Sequence, residues 1–121
     1  MGRYFDDNKQ ASTFKAIAKG LISMGAVKVG LTGSRAEGKQ YDEGHKGDVD
    51  IIALFVDSYC RTFTNFVLHD CKLPDGTLIP PNFEVMIAPY HSIGGEVSKS
   101  MKEKAVWLFS EVNSTIEIRR I

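Results

Sequence analysis

Apolar residues recur at helical spacing from about Asp7 to Met24. Phe14, Ile17, Ala18, Leu21 and Ile22 fall on one face, with Lys15 and Lys19 on the other. That stripe predicts an amphipathic helix. Asp6 or Asp7 can cap its start, and Gly25 suits a left-handed stop. The period then shortens to two. Val27, Val29 and Leu31 alternate with polar or small residues, which predicts a strand running into the turn Thr32-Gly33-Ser34. Residues Arg35 to Gly47 are too polar for a core and hold Gly38, Gly44 and Gly47, so a short helical turn followed by a loop is expected. Asp48 to Val56 is the clearest strand. Asp48, Asp50, Ile52, Leu54 and Val56 share one face, and Val49, Ile51, Ala53 and Phe55 share the other. Apolar positions on both faces place it in the middle of a sheet, covered on both sides.

The pattern from Ser58 to Asp70 fits two structures. Phe63, Phe66 and Val67 make a helical stripe, while Thr62, Thr64 and Val67 favour strand. Pro74-Asp75-Gly76 between Leu73 and Leu78 predicts a hairpin turn, and Pro80-Pro81 predicts a break. Phe83 to Ile87 reads as a strand ending before Pro89. Val97, Met101, Ala105, Leu108 and Val112 predict a second amphipathic helix entered through Gly94-Gly95, and Ile116 with Ile118 a last strand. This order predicts a small α+β (α/β-like) domain over residues 1–121, a mixed sheet flanked by helices.

Composition narrows the function classes. With 43% hydrophobic and 25% charged residues the chain is globular rather than disordered. Fifteen basic and fifteen acidic side chains leave a formal net charge of zero, so nucleic acid held by bulk charge is not indicated. No apolar run has the length of a membrane helix, and the opening Met1 to Asp7 lacks the apolar stretch of a secretory signal, so a cytoplasmic protein with no membrane partner is expected. Cys60 and Cys71 lack the spacing of a zinc site and are read as reduced thiols.

Three features carry chemistry. Gly33-Ser34 closes a strand, where glycine permits close backbone approach and the serine hydroxyl is a phosphate donor. Asp48 and Asp50 alternate with Val49, so their carboxylates leave the same face about 7 Å apart along the strand. Carboxylates so placed resist burial unless a cation relieves their repulsion, and Mg²⁺ prefers a few carboxylate oxygens plus substrate phosphates. Glu84 shares a face with Met86, away from Phe83, Val85 and Ile87, and stands beside both aspartates if its strand pairs next to theirs.

Gly33-Ser34-Arg35-Ala36-Glu37-Gly38, then Gly47-Asp48-Val49-Asp50-Ile51-Ile52, then a later acidic strand residue, resembles the DNA polymerase beta-like nucleotidyltransferase superfamily. Its pattern is Gly-Ser-x-Ala-x-Gly, a loop, and Ser-Asp-x-Asp followed by two apolar residues; Gly47 stands where serine is frequent. The short chain is most similar to the minimal, antitoxin-type members, several of which pair with a helical toxin. The resemblance implies a two-metal nucleotidyl transfer from an NTP, ATP being the first candidate, to a hydroxyl on a protein, an RNA or a small molecule. It implies Asp48, Asp50 and Glu84 as catalytic Mg²⁺ ligands and Gly33 and Ser34 as nucleotide-binding. Arg35, Lys39 and Lys46 are cations available to offset triphosphate charge. A domain this small leaves little room for an acceptor pocket, so a toxin-like protein partner or a second copy is expected to supply part of it.

Two other readings are open. Gly33 to Lys39 also fits most of a P-loop, but Gln40 replaces the Ser or Thr that Mg²⁺ needs, and Asp48 and Asp50 go unexplained. Alternatively the fold is an inactive scaffold acting as a binding or inhibitor module. His69 and His91 have no ligand-like neighbours in the sequence and read as structural or exposed.

Overall fold

The computed structural model describes residues 4–36, 48–55, 66–89, 103–112 and 115–118. It is an α+β domain. Helix α1 (Asn8–Ser23) leads into β1 (Ala26–Thr32), the short helix α2 (Gly33–Ala36), β2 (Val49–Phe55), β3 (Phe66–Lys72), β4 (Leu78–Pro89), β5 (Val106–Val112) and β6 (Thr115–Ile118). The strands form one mixed sheet in the order β3-β4-β2-β1-β5-β6. Only β2 and β4 run parallel; every other neighbouring pair is antiparallel. Among the described residues no helix is long and apolar enough to cross a membrane.

Local chemistry sets α1. The Asp7 side chain accepts from the Gln10 backbone N–H at 2.8 Å, and the helix ends ahead of Gly25, which turns the chain at φ 113°. Phe14, Ile17, Ala18 and Leu21 are fully buried and pack on Val29, Leu31, Val49, Ile51, Ala53 and Phe55 of the sheet. Each large side chain so buried contributes about 1.5–3 kcal/mol, which outweighs the middling helix propensity of Ser12 and Thr13. Phe14 also stacks between Phe5 and Phe109, with ring centroids 5.2 and 5.7 Å apart, so the segment ahead of the helix is pinned to the same core.

The expected central strand is central. The odd-numbered residues Val49 to Phe55 join the core under α1, while Ile52 and Leu54 form a second cluster with Ala88 on the opposite face, flanked by Met86 and Trp107. The site residues lie on that opposite face.

Two expectations are corrected, and one left open is decided in part. Residues Val106–Val112 are a strand rather than the end of a helix. A bulge explains the misleading period: Val29 pairs with Phe109 and Gly30 with Trp107, so Leu108 is extra and both it and Phe109 face the main core. The start of that proposed helix, 97–102, lies outside the described residues. Pro80-Pro81 does not end the strand. The two prolines fall between the paired stretches of β4, at the irregularity between His69 and Cys71 where Asp70 takes φ 47°, so neither removes a ladder hydrogen bond. In the segment Ser58 to Asp70, which fitted both helix and strand, the described part is strand, within β3 (Phe66–Lys72), and 58–65 lies outside the described residues. The Pro74-Asp75-Gly76 hairpin turn is as expected, closed by Gly76 N–H to the Leu73 carbonyl and Leu73 N–H to the Thr77 carbonyl, both at 2.8 Å.

Gly30 permits the close β1–β5 approach. A Cβ there would stand 2.3 Å from the Val106 carbonyl oxygen and 2.9 Å from the Trp107 ring, whose face Lys28 Nζ approaches at 5.2 Å. Backbone cannot swing aside as a side chain can. Gly30→Ala is expected to cost about 2–3 kcal/mol, read as a fall of roughly 10 °C in thermal midpoint.

Candidate active site

Sheet register assembles the carboxylates. Thr32 pairs with Asp50, Asp50 with Glu84, and Glu84 with His69, so four residues from β1, β2, β4 and β3 form one row across the face opposite α1. Neighbouring strands lie about 4.8 Å apart, which sets the step along such a row. Thr32 is buried, Asp50 half-buried, and Glu84 and His69 exposed, so the row opens to solvent toward the β3 edge. Asp48 is exposed just ahead of β2.

Gly33 closes the other side. It takes φ 67°, in the left-handed region, and a Cβ on it would lie 2.6 Å from Asp50 Oδ2. The chain thus turns directly against the Asp50 carboxylate, and Ser34 follows within α2.

The electrostatics are unfavourable as they stand. Burial pushes the Asp50 carboxyl above its ordinary value of 3.8. The charges of Glu84 and Asp48 and a side-chain hydrogen bond with Glu84 push the same way, while Arg35 opposes them. Two neighbouring carboxylates that share a hydrogen bond need either a proton or a cation between them. Among the described residues no three His, Cys, Asp or Glu side chains converge into a ready-made metal cage. The donor set still fits Mg²⁺, which keeps several waters and binds through one or two carboxylates and substrate phosphates.

This shift has a measurable consequence. An acid whose pKa is higher in the folded than in the unfolded chain holds its proton more tightly when folded. Protonated Asp50 therefore favours the fold below 3.8, and that contribution is lost as pH rises through the raised folded value. Asp50→Asn keeps the shape without the charge. In chelator-treated buffer at pH 7 it is expected to raise the melting midpoint, with the gain closing toward pH 3. An equal gain at both pH values would contradict this origin.

The sequence-expected residues fall into three groups. Asp48, Asp50, Glu84 and Gly33 come together at one end of the sheet. Lys39 and Lys46 lie outside the described residues. Arg35 does not lie free for a phosphate: its side chain is fully buried. It donates from Nε to the Asp48 carbonyl and from Nη1 to the Tyr4 carbonyl, each at 2.7 Å, and from Nη1 to Gln10 Oε1 at 2.9 Å. The expectation that Arg35 binds nucleotide is corrected accordingly. Its place in the motif suggested a solvent-facing loop cation, and only the packing of the N-terminal segment shows otherwise. His69 was read as structural or exposed, and it is exposed. Its place opposite Glu84 depends on the hairpin register, which no spacing rule predicts across the irregularity beside it.

The P-loop alternative does not fit this framework. A P-loop closes a strand and opens a full helix, whose N-terminus holds the phosphates. Here β1 runs antiparallel to both its neighbours, whereas a P-loop strand belongs to a parallel βαβ unit; residues 37–47, Lys39 among them, lie outside the described residues. No protein-family model matches the chain, and neither a curated protein nor a solved structure matches it.

Proposed function

We propose that the protein is a Mg²⁺-dependent nucleotidyltransferase of the DNA polymerase beta-like kind, moving a nucleoside monophosphate from an NTP, ATP first, to a hydroxyl acceptor. The observation that carries this reading is the pairing of Asp50 with Glu84 on adjacent parallel strands, with the Gly33 turn against the Asp50 carboxylate. That arrangement sets an acidic pair beside a backbone turn with no side chain in the way. It accords with the motif Gly33-Ser34-x-Ala36-x-Gly38 followed by Asp48-x-Asp50.

In this reading Asp48, Asp50 and Glu84 hold the cation, and Gly33 and Ser34 orient the NTP phosphates. Bound Mg²⁺ supplies charge neutralisation at the phosphoryl group undergoing displacement. Glu84, exposed beside Asp50, would accept the proton of the incoming hydroxyl. The acceptor approaches from the β3 side of the row, because Gly33 and α2 occupy the other end. A partner chain or a second copy completes the acceptor pocket, as in a toxin–antitoxin pair.

The test supplies each α-labelled NTP with Mg²⁺ and an acceptor pool of cellular protein and RNA, then follows label transfer and pyrophosphate release. Mg²⁺-dependent transfer from one or more NTPs is expected. Well-folded protein that neither binds any NTP nor releases pyrophosphate would favour an inactive scaffold.

A further inference from the structure

Arg35 is the bulkiest fully buried polar side chain among the described residues, at 0% exposure. A guanidinium out of water is costly unless its donors are met, and here they are met by three separate parts of the chain. Nε donates to the backbone carbonyl of Asp48. Nη1 donates to the Tyr4 carbonyl and to Gln10 Oε1. Nη1 and Nη2 also stand 3.3 Å from the two oxygens of Asp6. Gln10 Oε1 in turn accepts from the Asp6 backbone N–H at 2.8 Å, so the acceptors are themselves braced. Phe5, fully buried against Phe14, fixes the segment that carries them.

The position of this hub matters more than its number of contacts. Arg35 lies two residues beyond Gly33, the residue against Asp50, and its Nε holds the residue that opens β2. One side chain therefore ties the turn to the carboxylate strand across the thirteen residues that separate Ser34 from Asp48 in sequence. A rigid planar fork can hold several acceptors in one fixed geometry; an ammonium cannot.

We infer that Arg35 is a positioning residue for the carboxylate site, and that the segment Tyr4 to Gln10 is part of that site's framework. The inference rests on the reading that Asp48, Asp50 and Glu84 hold a divalent cation. Partners that orient ligating groups typically change metal affinity by about 10–100-fold when removed. The predicted role is geometric, so the informative variants keep the net charge. Arg35→Lys retains the cation and loses the fork. Gln10→Ala removes one neutral acceptor, distant in sequence from the site.

The experiment titrates Mn²⁺ into the full chain by calorimetry, well below each variant's melting midpoint, with folding checked by circular dichroism. Leu21→Ala serves as a control that destabilises the core from the other side of the sheet. The expected result is binding about tenfold weaker in Arg35→Lys and about threefold weaker in Gln10→Ala, with Leu21→Ala unchanged. A merely structural role would lower the melting midpoint of all three and leave the affinity of the folded protein alone. Wild-type affinity in folded Arg35→Lys and Gln10→Ala would overturn the inference while leaving the cation site standing. If Arg35→Lys does not fold, Gln10→Ala decides. Absence of Mn²⁺ binding by wild type would remove the cation reading and this inference with it.

Discussion

Changing Asp48 and Asp50 together to asparagine is expected to weaken Mg²⁺-dependent ATP binding below detection and to cut nucleotidyl transfer by about 10³-fold or more, a loss of roughly 4 kcal/mol of transition-state stabilisation. Asparagine keeps the volume and most of the hydrogen-bonding capacity of aspartate but carries no charge. At Asp50 the change removes a half-buried carboxylate that Glu84 and Asp48 already disfavour, so the variant should melt no lower than wild type in the absence of cations. At Asp48 it alters an exposed side chain and leaves untouched the backbone carbonyl that Arg35 holds. Loss of binding with an undiminished melting midpoint therefore reports on charge at the site rather than on folding. Calorimetry with ATP and Mg²⁺ checks the binding, and label transfer from α-labelled ATP checks the reaction. Unchanged ATP binding by the folded double variant would mean that the nucleotide is held elsewhere and that these aspartates are only a solvated strand start.

What the sequence made legible follows from what periodicity can encode. The helical stripe from Phe14 to Leu21 and the two-sided strand Val49–Phe55 are readable because each residue's face is set by local geometry alone. The Gly33 turn at the end of β1 was legible for the same reason. Strand β5 was not, because the bulge at Leu108 puts consecutive apolar residues on one face and imitates a helix. The prolines of β4 misled because their compatibility with a strand depends on which residues stand opposite, and Asp70 with its left-handed backbone is remote in the pattern. Arg35 and His69 share that difficulty. Arg35 looks like a loop cation until Tyr4, Asp6 and Gln10 are folded over it, and His69 gains its neighbour Glu84 only through the hairpin register. Within-strand geometry was open to reading, and cross-chain contact was not.

Gly33 is where backbone conformation and proposed chemistry meet most directly, and Gly33→Ala should disturb both. The residue takes φ 67°, so any L side chain there costs about 1–2 kcal/mol of backbone strain. The new methyl would also lie 2.6 Å from Asp50 Oδ2. A carboxylate end can rotate away, unlike the carbonyl that a methyl at Gly30 would strike, so the fold should survive with a fall of roughly 5 °C in melting midpoint. The effect on function should be larger. Rotating Asp50 away from the turn breaks its alignment with Glu84 and puts a methyl where phosphate is expected to approach the backbone. Mg²⁺-dependent ATP binding should weaken by about 10²-fold, comparable to the loss of one well-placed group at a transferring phosphoryl. Backbone strain and obstruction can be separated by pairing Gly33→Ala with Asp50→Ala, which empties the space the methyl needs. If strain at Gly33 were the whole effect, the melting shifts of the two changes would add and Gly33→Ala alone would bind ATP as wild type does. If the methyl acts through the carboxylate, the double variant should melt higher than that sum, with ATP binding no weaker than in Asp50→Ala alone, because one displaced carboxylate accounts for both losses.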